Sequence, residues 1–107
     1  MKKLTAAEIA IFADCLGFTP EDAAAITEIF HREKLAGNWR FSHRDLDSVD
    51  SYIELWGDHW SRYSSWTSLV QSEADQGPDG YSEWALYKYI GKAVFMLPSG
   101  MYILGCL

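Results

Sequence analysis

Histidine and carboxylate side chains are the first candidates for chemistry in this sequence of 107 residues. The three histidines, His31, His43 and His59, lie on separate predicted segments, and no HxxxH, CxxC or HExxH motif supplies the spacing of a zinc site. Glu28 and His31 match the Glu-x-x-His step of di-iron helical bundles, but that chemistry requires a second copy of the step. The second copy is missing, so we expect neither a metal nor any other cofactor.

Motifs for covalent catalysis and phosphate binding are also missing. His43-Arg44-Asp45 matches the catalytic tripeptide of protein kinases, but the glycine-rich loop, the lysine strand and the necessary chain length are absent. No glycine-rich loop precedes a helix in the form that cradles phosphate, and no serine or cysteine lies in a recognisable nucleophile elbow. We therefore expect a protein that is not an enzyme.

Composition favours a folded, acidic protein. Hydrophobic residues make up 49% of the chain and aromatic residues 15%, which is far from the composition of a disordered segment. The length suits a single domain over residues 1–107 with one core. Nine basic residues face fifteen acidic ones, giving a net charge of −6, so the chain as a whole should repel nucleic acid and attract basic surfaces.

The N-terminus and the cysteines predict a cytoplasmic protein. Residues 1–3 resemble the charged start of a signal peptide, but Glu8 and Asp14 interrupt the apolar stretch that such a peptide needs. No run approaches the roughly 18 apolar residues of a membrane span, so we expect no membrane association. Without export, Cys15 and Cys106 should be buried thiols rather than a disulfide.

Two helices are predicted in the first third of the chain. Thr5 and Glu8 have the spacing of a capping box, and a glycine stands at the end of the helix predicted over residues 5–16. Thr19 is a suitable N-cap, followed by a proline and two acidic residues, for a second helix that ends near residue 35. Apolar residues recur three and four positions apart in both, which predicts an antiparallel helical hairpin.

The third segment predicts one long helix from about Ser42 to Ser72. Gly57 and the pair Ser64 and Ser65 are the places where this helix could bend or break. Apolar residues spaced three and four apart indicate that one side packs against a core. These residues are Leu46, Val49, Ile53, Trp56, Trp60 and Tyr63.

After this helix the spacing of the apolar residues along the sequence changes. Residues 75–80 are dense in turn residues and predict a loop, after which Ser82 should cap a short helix through Ile90. Apolar runs at 93–97 and 101–106 flank Pro98-Ser99-Gly100, which predicts a hairpin with a type I turn and a left-handed glycine. The whole is a mostly helical α+β fold of three to four helices with a C-terminal β-hairpin.

Both faces of this hairpin are apolar, so it should not lie open to water. Either helices cover both faces, or residues 39–41 join the hairpin as a third strand, since an isolated hairpin is only marginally stable.

Acidic residues occupy the side of the long helix opposite its apolar stripe, within an arc of about 80°. Trp66 falls between the two faces, and a half-exposed tryptophan beside carboxylates is typical of interface anchors. The four carboxylates, which we name the acidic stripe, are Asp47, Asp50, Glu54 and Asp58, and together with Trp66 they are the predicted partner-binding positions.

Charge is strongly segregated along the chain. Residues 45–83 hold nine acidic residues against Arg62 alone, a net charge of −8. Carboxylates one helical turn apart are about 5 to 6 Å from each other, close to the spacing of phosphates on a nucleic-acid strand, and they repel. The simpler interpretation is a solvated helix face that keeps the chain soluble. The alternative is a docking surface for a basic partner.

The acidic stripe leads us to expect a non-enzymatic inhibitor that docks on a basic protein surface, that of a nucleic-acid-binding protein or a nuclease. Small acidic proteins without catalytic groups include phage-encoded inhibitors of bacterial defence, anti-CRISPR proteins among them, and immunity proteins against nuclease toxins, although that analogy rests on size and charge alone. Two alternatives stay open. One is a small-molecule-binding domain or enzyme subunit that uses the aromatic-rich C-terminal half. The other is an assembly protein that offers its hairpin to a partner strand.

Overall fold

The computed structural model describes residues 3–36, 46–76 and 94–105. Within these ranges it contains four helices and three strands, which confirms a mostly helical α+β fold with a C-terminal hairpin. The elements are α1 (Ala6–Leu16), α2 (Pro20–Leu35), α3 (Val49–His59), β1 (Trp60–Tyr63), α4 (Trp66–Gln76), β2 (Val94–Met96) and β3 (Tyr102–Gly105). The chain divides into two compact units, residues 1–58 and 59–107, and a single domain stays a prediction.

The first two helices begin and end where the sequence predicts. The amide of Glu8 donates to Thr5 Oγ1 at 3.2 Å and the amide of Thr5 donates to Glu8 Oε1 at 3.0 Å, which completes the capping box of α1. Gly17 follows α1 with φ of 72°, the left-handed conformation expected of a helix-ending glycine. Thr19 caps α2 by accepting from the amide of Asp22 at 3.2 Å.

Two serines set the start of α3, and Ser42, the predicted start of the long helix, lies outside the described residues. The amide of Ser51 donates to Ser48 Oγ at 3.2 Å, and the amide of Ser48 donates back to Ser51 Oγ at 3.1 Å. The amide of Tyr52 donates to the Ser48 carbonyl at 3.3 Å, the first bond of the helical ladder. This reciprocal pair is a capping box with serine in place of the usual glutamate.

The single helix predicted over residues 42–72 is wrong, because a strand and a second helix follow α3. Four residues leave the helical path and pair antiparallel with β3, from Trp60 opposite Gly105 to Tyr63 opposite Tyr102. Large aromatic residues suit a pleated surface as well as a helix, so the apolar spacing did not distinguish the two. Tertiary pairing therefore decides the conformation of this stretch.

The second part of the predicted long helix begins again at a serine cap. The amide of Ser68 donates to Ser65 Oγ at 3.0 Å, and the amide of Leu69 donates to the Ser65 carbonyl at 3.1 Å. The interruption thus covers residues 60–65 and ends at the pair Ser64 and Ser65, one of the two weak points that the sequence indicates, whereas Gly57, the other, lies within α3. Because α4 extends to Gln76, the first two residues of the predicted loop at 75–80 are helical.

Residues 1–58 pack around the ring of Tyr52. Tyr52 and Leu55 are fully buried on α3, whereas Trp56 is half-buried and meets Phe18 edge-on with ring centroids 5.1 Å apart. The buried side of α3 is therefore rotated from the predicted apolar stripe, in which neither Tyr52 nor Leu55 was included. The other buried apolar residues here are Phe12, Ala13, Phe18, Ala23, Ile26, Ile29, Phe30 and Leu46.

Residues 59–107 contain a three-stranded antiparallel sheet in the order β1-β3-β2, with α4 against one face. On that face Leu69 of α4 packs with Leu104 of β3. On the other face Ile103 is fully buried, and the rings of Trp60 and Phe95 lie 6.0 Å apart. Each face of the hairpin thus holds buried residues, as its apolar sequence predicts, but Met96 of β2 is exposed. Packed around Leu69 and Leu104 are Tyr63, Trp66, Val70, Val94 and Tyr102.

The hairpin turn lies at the predicted residues and contains the predicted left-handed glycine. The amide of Gly100 donates to the Leu97 carbonyl at 2.9 Å, and the amide of Leu97 donates to the Met101 carbonyl at 2.7 Å. Gly100 adopts φ of 92°, a left-handed conformation that is strained for any residue with a side chain. The third strand of the sheet is β1, while residues 39–41, the segment considered for that place, lie outside the described ranges.

Three further predictions have mixed outcomes. The short helix predicted from Ser82 to Ile90 lies outside the described residues, as does Cys106. Cys15 is a free thiol but is exposed, so its predicted burial is wrong; it falls on the outer side of α1. None of the helices in the described ranges combines the length and the apolar character that crossing a bilayer requires.

Candidate functional site

Three positions of the acidic stripe are exposed to water. Asp47 directly precedes the cap Ser48, and Asp50 and Glu54 lie one turn apart on α3. All three are exposed, while Tyr52 between them in the sequence is fully buried. Asp50 and Glu54 therefore lie on the outward side of a helix whose inward side is fixed by packing, and Asp47 is exposed in the segment just before this helix.

Of the other two predicted positions, Asp58 shares α3 and Trp66 does not. Asp58 continues the spacing of four on α3, about 6 Å further along the helix axis than Glu54. Trp66 does not share that helix, because β1 intervenes and Trp66 begins α4. It is half-buried, with its ring centroid 5.4 Å from that of Tyr102. Trp66 therefore has a packing role in the α4 and sheet cluster.

The helix dipole offsets part of the repulsion within the acidic stripe. Asp50 is the second residue of α3, where the free amides of the first turn give a partial positive charge. A carboxylate at such a position typically gains about 0.3 to 1 kcal/mol, comparable to the cost of a like-charge neighbour. The clustering of Asp47 and Asp50 is therefore compatible with a purely structural role. Binding measurements distinguish that role from docking on a partner.

A second candidate site is a pocket of about 90 Å³ within the helical unit of residues 1–58. It is built on one face of α2, where four lining residues recur three, one and three positions apart, and α3 contributes Tyr52. The segment that enters α1 and the first turns of that helix complete the wall. The lining residues are Lys3, Leu4, Ile9, Ala24, Thr27, Glu28, His31 and Tyr52.

The polar side chains of this pocket differ in their hydrogen bonds and in their exposure. The hydroxyl of Thr27 donates to the Ala24 carbonyl at 2.8 Å. Glu28 Oε1 lies 3.6 Å from Lys3 Nζ, with both side chains about two-thirds exposed, at 66% and 65%. Nδ1 of His31 is buried and has no hydrogen-bond partner among the described residues. A buried imidazole nitrogen without a partner is a costly arrangement.

Tyr52 remains a neutral phenol at physiological pH. Burial raises its pKa above the ordinary value of 10.0, and the carboxylates of Glu28 and Glu8 raise it further. A phenol held in this state keeps its proton to donate. Among the described residues that line the pocket, Lys3 supplies an ammonium and Glu28 a carboxylate.

The pocket was missed at the sequence level although part of its signal was visible. Glu28 and His31 stood out as half of a di-iron motif, but no group of three or more metal-binding side chains exists among the described residues. Glu28 and His31 are instead neighbours on one face of α2, three positions apart. Tyr52 gave no signal, because it falls outside the apolar stripe drawn for the long helix.

Comparison of the chain with family models, with curated proteins and with solved structures gives no match. Two features of the described residues are candidates for a function, the acidic stripe and the pocket on α2.

Proposed function

We propose that this chain is a non-enzymatic inhibitor, of the type that phages and mobile elements carry, which docks its acidic stripe on the basic surface of a nucleic-acid-binding protein or nuclease. The observation that supports this proposal is the exposure of Asp50 and Glu54 one turn apart on α3 and of Asp47 just before its cap. Carboxylates presented from a packed helix lose little conformational freedom on binding, which favours affinity. The action of such an inhibitor belongs in the cytoplasm, beside the partner.

Charge segregation supports the same proposal at longer range. Residues 45–83 carry a net charge of −8, while the chain as a whole carries −6. A field concentrated on one segment orients the molecule as it approaches a basic partner and accelerates association. Because this effect acts through the solvent, it weakens as salt shortens the Debye length to about 8 Å at 0.15 M.

The test is a charge reversal with a matched control. Asp50→Lys with Glu54→Lys removes the centre of the acidic stripe. Glu21→Lys with Asp14→Lys changes the net charge equally, and Glu21 occupies the same second position of α2 that Asp50 occupies on α3. Both pairs of side chains are exposed, so both variants should fold, which circular dichroism verifies.

Binding is then measured on partners captured from host lysate with the wild-type chain. The stripe variant should associate at least about tenfold more slowly at low salt, and the wild-type rate should fall as salt rises, whereas the control variant should keep most of the wild-type rate. If the stripe variant keeps every partner at unchanged rates, the acidic stripe is a solvated face and the proposal fails.

A further inference from the structure

The strand β2 is an outer strand of the described sheet, and some of its backbone groups point away from that sheet. The amide of Leu97 donates to the Met101 carbonyl at 2.7 Å, so the backbone of Leu97 faces β3. Successive residues of a strand direct these groups to opposite sides, so Phe95 also faces β3, whereas Val94 and Met96 face outward. No described residue forms a hydrogen bond with the outward groups.

The two outer strands of the sheet differ in their protection against pairing with another chain. An open sheet edge recruits further strands unless a charge, a proline or a bulge interrupts it. The strand β1 carries Arg62, which is exposed. The strand β2 consists of Val94, Phe95 and Met96 without any charge, and Met96 is 66% exposed. The edge at β2 therefore lacks the kind of protection that β1 has.

The outward groups of β2 are complementary to those of a second β2 strand. They belong to two residues placed symmetrically about Phe95, so a twofold axis at Phe95 sets Val94 opposite Met96 of the second copy. Each outward N–H then meets an outward C=O. Moving the axis one residue toward the turn sets Val94 opposite Pro98, which has no N–H to donate.

We propose that two copies of this chain pair antiparallel through β2, with the twofold axis at Phe95, and so join their sheets. Val94 and Met96 share the face that α4 covers, so the exposed Met96 packs beside Val94 of the second copy. On the opposite face the two Phe95 rings become direct cross-strand neighbours, which is a favourable arrangement for aromatic residues. No like charges meet along the paired strands.

This dimer is weak and depends on concentration. Pairing through one strand of three residues covers much less than the roughly 800 Å² per partner of a standard interface. Each copy carries a net charge of −6, so the copies repel each other through the solvent and salt strengthens their association. Docking of the acidic stripe on a basic partner has the opposite salt dependence, so the two proposals stand or fall separately.

Sedimentation velocity of the intact chain, from about 10 μM to about 1 mM, tests the inference. Reductant is present, since Cys15 is an exposed free thiol that could cross-link two copies. The wild type should pass from monomer to dimer within this range. Its dissociation constant should fall at least about twofold when sodium chloride is raised from about 0.05 M to about 0.5 M.

Two substitutions at Met96 separate backbone pairing from other modes of association. Met96→Pro removes the outward N–H but no hydrogen bond of the hairpin, and it should weaken dimerisation at least about tenfold. Met96→Thr keeps this N–H and suits a strand, so its dissociation constant should stay within about threefold of the wild-type value. The amide resonances of Ile103 and Leu104 verify that the hairpin is intact in each variant.

Nuclear magnetic resonance of a mixture of labelled and unlabelled wild-type chains locates the contact without any substitution. The Hα atoms of the two Phe95 residues should give a cross-peak between copies, because opposed residues of a non-hydrogen-bonded pair lie close together. The amides of Val94 and Met96 should exchange more slowly with solvent as concentration rises, whereas the amide of Phe95 already faces β3 and should not.

Several results would overturn the inference. These are a wild type that stays monomeric at about 1 mM, association that salt weakens, or equal dimerisation of Met96→Pro with an intact hairpin and Met96→Thr. Association through another surface, such as the side of α1 that exposes Ile11 and Cys15, contradicts it as well. If β2 pairs with a strand of a different protein and the chain does not self-associate, the proposed dimer is wrong.

Discussion

The ring of Tyr52 stacks on that of Phe30, with centroids 6.2 Å apart and planes inclined by 17°. Phe12 meets the same tyrosine edge-on at 6.4 Å, and Tyr52 is only 1% exposed. Tyr52→Ala should therefore lower the free energy of unfolding by about 3 to 5 kcal/mol, because it removes a large ring from a packed cluster. Urea unfolding measures this loss, with Met96→Ala, at an exposed position, expected to stay within about 0.5 kcal/mol. A loss below about 1 kcal/mol for Tyr52→Ala would contradict the packing described.

The phenol of Tyr52 should also make stability fall in alkali. Burial, with Glu28 and Glu8, raises the folded-state pKa of Tyr52 above 10.0. Below pH 10 both states hold the proton; above it the unfolded chain releases the proton while the folded chain retains it, so the stability that this group contributes is lost as pH rises. The free energy of unfolding of wild type minus that of Tyr52→Phe should decline from pH 9 upward through 11, and a constant difference would exclude the raised pKa.

Two glycines should respond in opposite ways to the same substitution. Gly57 lies inside α3, and a Cβ atom at this position would have nothing within 4 Å, so Gly57→Ala should stabilise the chain by about 0.5 to 1 kcal/mol through helix propensity. Gly100 also has free space, but its φ of 92° strains any side chain, so Gly100→Ala should destabilise by about 1 kcal/mol or more. Thermal unfolding of both variants measures the sign of each change in stability. If both substitutions stabilise the chain, or both destabilise it, the backbone conformation assigned to one of the two glycines is wrong.

The serine capping box of α3 should be measurable as well. Ser48→Ala removes the acceptor of the Ser51 amide and should cost about 0.5 to 2 kcal/mol. Ser64→Ala, at an exposed serine between β1 and α4, serves as the matched control and should be close to neutral. Denaturant unfolding decides; similar costs for the two substitutions would mean that Ser48 does not cap the helix.

Local signals in the sequence predicted what depends on local contacts. The caps at Thr5 and Thr19 can be predicted because the hydroxyl of each threonine accepts from an amide only three residues later. Both partners of the hydrogen bond therefore lie in one short stretch of sequence. The turn at Gly100 was found for the same reason, since one left-handed glycine defines it. The exposure of Asp50 and Glu54 also followed from helical spacing alone.

Structure that depends on distant contacts was not predicted. β1 exists because Trp60 and Tyr63 pair with residues about 40 positions later, and a spacing of three or four does not reveal that pairing. The pocket on α2 likewise needs Tyr52 from α3 beside Thr27 and His31 from α2, and no motif in one segment encodes that meeting. Whether the acidic stripe binds a partner is a question of chemistry outside the chain, which folding rules do not answer.

The central place of β3 in the sheet has a consequence for synthesis on the ribosome. β1 is synthesised about 40 residues before β3, the strand with which it pairs, whereas α1 and α2 follow each other directly in the chain. At about 5 to 20 residues per second, β1 emerges roughly 2 to 8 s before its pairing partner. During that interval the strand with Trp60 and Tyr63 has no ladder, so a chaperone that shields aromatic segments would meet this protein there, after the helical hairpin has already closed.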